Sequence, residues 1–175
     1  MDLVAGPFLA VTGLLIAGGL LKVRHPDDTA RALRQAGLRV GRGAVRVAGA
    51  LEAVVTAAAV LTGNRVAVVW VAASYLAFAA FVAVARQRRW PLASCGCLGK
   101  IDTPPSVGHV AIDVAAASVS LAVAVRPLGS LGDVLSRQPL GGIPLLAMAA
   151  VTAYLVTLVM GPQAQLAVAR AEVRR

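Results

Sequence analysis

Cys95 and Cys97 are the only cysteines in a chain of 175 residues, and they stand one residue apart in Ser94-Cys95-Gly96-Cys97-Leu98-Gly99-Lys100. Thiols so placed can reach each other if the chain bends, because a disulfide wants its Cα atoms roughly 4.4 to 6.8 Å apart and an extended i, i+2 pair lies at or beyond that limit. Gly96 supplies the bend. The small ring so closed is strained and easily reduced, a poor staple but a plausible exchange site. Arg86, Arg88, Arg89 and Lys100 lie nearby in sequence, a cationic setting that favours thiolate. The same pair also suits soft cations such as Cu(I), Zn or Hg. A four-ligand structural zinc site is hard to complete, since only His25 and His109 could join the cysteines. A third reading makes the cysteines unreactive packing residues.

Three more residues draw notice because they sit within apolar stretches, where an ionisable side chain is costly and by default a functional suspect. Glu52 lies five residues beyond Val47, and Asp113 six beyond Val107. At 1.5 Å per residue both fall roughly 8 to 9 Å from one end of their helices. His109 and Asp113 are four apart and share a helix face, with His109 close to the level of the cysteines. One polar pocket formed by Glu52, His109, Asp113, Cys95 and Cys97 is therefore expected, with His109 or a carboxylate exchanging protons with the thiols. The simpler alternative is that Glu52 bonds across helices and His109 reaches for headgroups.

The elements that hold these residues follow from the apolar content. With 58% hydrophobic and 14% charged residues and a mean hydropathy of +0.78, the chain has too little polar surface for a water-soluble domain of its size. Disorder, a coiled coil and a disulfide-stapled secreted fold are excluded by the same composition. Five apolar windows approach the 20 helical residues needed to cross a bilayer: 3–21, 47–64, 66–85, 107–125 and 143–160. The fold class is an all-α polytopic membrane bundle, a single integral membrane domain with four core transmembrane helices and a fifth. The first window has no basic leader and no small-x-small cleavage site, so it reads as a retained helix. Gly63-Asn64-Arg65 is so short that the second and third spans must form an antiparallel hairpin.

Lys and Arg number fourteen in the connections and tail on one side and three on the other. That bias puts the basic side in the cytoplasm, the N-terminus outside, and Cys95 and Cys97 at the cytoplasmic face of the cell membrane. The net charge of +9 is then explained by anionic headgroups, and nucleic acid is not an expected partner. Pro26, Asp27 and Asp28 signal a helix start, with Ala30, Leu33 and Leu38 opposite Arg31, Arg34 and Arg39; a short interfacial helix or a solvated basic loop would fit. Trp90 falls where an interfacial anchor belongs, whereas Trp70 and Tyr75 pack or meet lipid.

The Leu21-Lys22-Val23-Arg24-His25-Pro26 stretch after a first apolar helix, Leu51-Glu52 in the second, the tight hairpin and Cys95-Gly96-Cys97-Leu98-Gly99 before a fourth helix resemble the methylamine-utilisation MauE family, itself similar to DoxX-like membrane proteins. The resemblance covers about residues 3 to 125. It implies four core membrane helices and a role in disulfide formation or transport of reducing equivalents for exported proteins, often beside a thioredoxin-like partner. By that resemblance Cys95 and Cys97 are the redox pair and Glu52 the characteristic second-helix carboxylate. The chain departs from the family in having Leu98 where Phe is usual and in its fifth span.

Three functions are compatible with these residues. The first is a membrane thiol-disulfide relay, a thiol-disulfide oxidoreductase for which a quinone, or a swing of the loop, would serve as second carrier because no other cysteine is available. The second is a conduit handing a soft metal ion from the cysteines to Glu52 and His109. The third is a non-catalytic membrane subunit of a partner enzyme. The small-molecule substrate is not legible at this level.

Overall fold

The computed structural model describes residues 3–88, 90 and 106–160, with side chains to residue 158. Cys95 and Cys97 lie outside the described residues. Seven α-helices are described: α1 (Ala5–Arg24), α2 (Pro26–Gln35), α3 (Arg42–Thr62), α4 (Arg65–Gln87), α5 (Val107–Val125), α6 (Leu131–Ser136) and α7 (Ile143–Met160), the last preceded by a 3-10 turn at Pro139–Gly142. No strand occurs among the described residues. The helices α1, α3, α4, α5 and the Pro139–Leu158 stretch are long and apolar enough to cross a membrane.

Helix limits depart from the expected windows at the basic ends. The first helix runs on through Lys22 to Arg24, and α3 begins at Arg42, five residues before Val47. Lys and Arg are good helix formers and carry their charge on long apolar stems, so a span can extend past the hydrocarbon without breaking. Glu52 accordingly stands near the middle of α3, ten residues from its start, and not a third of the way in.

Local signals set the turns. Gly63 adopts a left-handed conformation (φ 65°) that stops α3, and the Asn64 side chain accepts hydrogen bonds from the Val66 and Ala67 N–H groups at 2.9 and 3.2 Å, starting α4 at once. This is the expected hairpin. Ser106 caps α5 through the His109 N–H, and Ser130 with Asp133 forms a capping box on α6, a short helix with no counterpart in the sequence reading. The short helix expected after Pro26 forms as α2, with Asp27 and Asp28 in its first turn. It ends at Gln35, and Gly37 turns the chain with φ 84°. Leu38 and Arg39 therefore fall beyond it, and Leu38 is exposed where a buried face was expected.

The bundle packs α1 against α3 and α4 against α5, with α3 on α4 and α7 on α1. Its interior is made of small and branched residues, including Leu15, Ala59, Val68, Val71, Ala116 and Val123. Small residues suit lipid, where close approach rather than water expulsion holds helices together. Tyr75 packs inside and donates its hydroxyl to the Val11 carbonyl at 2.6 Å. Outward-facing side chains such as Leu51, Val54, Leu61, Val69, Trp70 and Leu76 are apolar and exposed, the surface a bilayer solvates. The Trp90 ring, expected as an interfacial anchor, packs 6.1 Å from that of Phe81, in a small cluster with Ala32 of α2 and Ala85 of α4.

Candidate functional site

The polar centre of the bundle is assembled by a glycine crossing. A Cβ on Gly19 would lie 2.6 Å from the Gly49 carbonyl oxygen, and one on Gly49 would lie 2.7 Å from both the Gly19 carbonyl oxygen and the Lys22 Cβ. Only glycine permits that approach of α1 to α3. Side chains on a helix lean toward its N-terminus, so the Lys22 stem runs from the end of α1 back into the bundle, over Gly49. Its ammonium meets Glu52, about one helical turn farther along α3.

Lys22 Nζ donates to Glu52 Oε2 at 2.5 Å, with the two side chains 9% and 8% exposed. The ammonium also lies 4.4 Å from the centre of the Phe78 ring on α4, a cation–π contact strengthened by burial. Phe78 is set by an edge-on contact with Tyr75, centroids 6.3 Å apart. Glu52 Oε1 and Thr56 Oγ1, one turn on, are buried and have no hydrogen-bond partner among the described residues.

The ion pair lies between two cavities. Glu52 lines an inner cavity of about 70 Å³ together with Asp113 of α5, Tyr75, Phe78 and Val156 of α7. Lys22 lines a larger cavity of about 260 Å³ toward α2, and Phe78 borders both. Asp113 is buried and has no ion pair among the described residues. His109, also buried, sits one turn nearer the start of α5 with Nδ1 2.7 Å from the Ser106 hydroxyl. The structure thus brings Glu52 and Asp113 to one cavity and keeps His109 on the face of Asp113, outside that cavity's lining.

Lys22 and Phe78 belong to the site and were missed by the sequence reading. Lys22 was counted as a loop cation, yet a lone carboxylate in an apolar span demands a partner, and Gly18-Gly19 just before Lys22 marks where a neighbouring helix comes close. No group of three or more His, Cys, Asp or Glu side chains suited to a metal occurs among the described residues.

Apolar side chains facing outward, a charge pair and a second carboxyl facing inward, and helices of bilayer length define a multi-pass helical membrane protein with a polar heart. The chain belongs to the MauE family: a family model described as methylamine utilisation protein MauE matches residues 2–128, which take in α1 to α5 and stop short of α6 and α7. No curated protein and no solved structure matches the chain.

Proposed function

We propose that this protein is a membrane thiol-disulfide relay, in which Cys95 and Cys97 cycle between dithiol and disulfide in exchange with a thioredoxin-like partner. The observation that supports this reading is topological. Because α4 packs along α5, Trp90 and Ser106, the described residues that flank the cysteine segment, stand at the end of the bundle to which Lys22 and His109 belong. His109, at that end, is a group able to exchange protons with a thiol.

A partner thiolate attacks the Cys95–Cys97 disulfide, forming a mixed disulfide and releasing one of the two cysteine sulfurs as thiolate. The partner's second thiolate then attacks the mixed bond, forming the partner's own disulfide and releasing the other cysteine. Two electrons pass from the partner to the cysteine pair, and the two protons left by the partner's thiols go to the Cys95 and Cys97 thiolates. His109 and Asp113 are the candidate proton carriers and Glu52, neutralised by Lys22, the positioning carboxylate. The basic end faces the cytoplasm by the distribution of Lys and Arg. The service is to exported proteins, and methylamine utilisation, the process in the family's name, is the context in which to look for them.

Trapping tests the reading. Replacing Cys97→Ser should leave a stable mixed disulfide between Cys95 and a thioredoxin-like protein, lost in a Cys95→Ser, Cys97→Ser variant. Full cellular function of the double variant overturns it. Ready modification of Cys95 by an impermeant maleimide added outside intact cells overturns the orientation alone.

A further inference from the structure

The larger cavity has a chemistry of its own. It lies beneath α2 at the basic end of the bundle and is walled by Leu33, Val45, Ala48, Phe78 and Phe81, with Lys22 as its charged member. That charge is already balanced by Glu52 at 2.5 Å. A wall that carries no net charge gives an anion little reason to enter an apolar space. An ammonium has three N–H donors, however, and Glu52 Oε2 takes one of them. The wall therefore suits a neutral molecule that accepts a hydrogen bond. The Phe78 and Phe81 rings favour a flat, conjugated one, and a volume of about 260 Å³ admits a single substituted ring and little more. The position at the end of the spans lets an attached apolar tail remain in lipid.

We propose that this cavity binds the head of a membrane quinone, with Lys22 donating to one carbonyl oxygen. Its role as electron acceptor rests on the relay reading; its binding does not. Trp90 touches Phe81, a wall of the cavity, and Cys95 is five residues later in the sequence, a separation of at most about 18 Å from the Trp90 Cα for any trans chain. The redox step balances without another carrier. The Cys95 and Cys97 thiols form a disulfide, and their two electrons and two protons convert the quinone to a hydroquinone, one proton on each former carbonyl oxygen.

Trp90 and Trp70 are the two tryptophans of the chain, and Trp70 faces outward on α4. A Trp70→Phe variant in lipid-depleted detergent leaves Trp90 as reporter, and ubiquinone-1 is the probe. Saturable quenching of Trp90 is expected, weakened at least tenfold by Ala48→Phe, which fills the cavity from α3. Quenching that is linear, or equal with Ala48→Phe, or abolished equally well by added phospholipid, overturns the proposal. Because Lys22→Met disturbs the ion pair, a Cys95→Ser, Cys97→Ser variant separates the two readings: it should bind ubiquinone-1 unchanged. Saturable quenching with failed trapping removes the relay and leaves the quinone site, whereas successful trapping with no saturable quenching removes the site and leaves the relay.

Discussion

Glu52→Gln deletes the carboxylate charge while keeping the shape, and leaves the Lys22 ammonium buried with no counter-charge. At 2.5 Å and an effective dielectric of about 20, the lost attraction is about 7 kcal/mol. Much of that is already spent on taking both charges out of water, so the pair's net worth is far smaller. Stranding one partner is nevertheless expensive, about 3–5 kcal/mol by the behaviour of buried pairs, whereas replacing both by apolar residues of similar size is close to neutral. Lys22→Met should therefore cost a similar amount, including its contact with Phe78, and Lys22→Met with Glu52→Leu should cost less than either single change by about 3 kcal/mol or more. The assay is reversible unfolding in mixed micelles by sodium dodecyl sulfate, followed by helical circular dichroism on the four proteins of the cycle. Single variants within about 1 kcal/mol of wild type, or costs that simply add, would refute the claim that the pair is desolvated and coupled.

Two further outcomes follow from particular contacts. Gly19→Ala should lose about 1–3 kcal/mol in the same unfolding assay, because its Cβ meets the Gly49 carbonyl oxygen at 2.6 Å and the helices must part; Gly13→Ala, with nothing within 4 Å, should be neutral or mildly stabilising through helix propensity. Hydrogen bonds from the Ser130 hydroxyl and N–H, at 2.7 and 2.9 Å, hold the Asp133 carboxyl below its ordinary value of 3.8, with Arg137 adding to the effect. A depressed folded-state value means that the α6 cap contributes fully above pH 3.8 and is lost as pH falls through the lower value. Amide exchange at Asp133 and Val134 should lose protection only in that acid range, and Asp133→Asn should abolish the dependence.

The sequence made the bundle legible because a bilayer imposes one length on every span and one kind of side chain on its outer face. The windows at 107–125 and 143–160 coincide with α5 and α7, where apolar sequence begins just after the Ser106 cap or the 3-10 turn at Pro139–Gly142. At the basic ends the same rule failed, since hydropathy falls at the first Lys or Arg while the helix continues: Lys22, Arg42 and Arg46 all lie within helices. Helix α6 escaped because six residues carry no periodicity, although Ser130 and Asp133 spell its cap. The shared face of His109 and Asp113 was readable from their spacing of four. That Glu52 would find Lys22 was not, because the pairing depends on how closely α1 crosses α3, a tertiary fact that only the glycines hint at.

The Gly19–Gly49 crossing also bears on biosynthesis. Until the two helices touch, α3 carries an acidic group near its middle with no counter-ion, a poor candidate for release into hydrocarbon. The ribosome makes α1 first, and Lys22 can keep its ammonium at the headgroups on a long flexible stem while it waits. The order of synthesis thus presents the neutralising cation before the anion that needs it, and handover of α3 to lipid becomes conditional on α1 still being at hand.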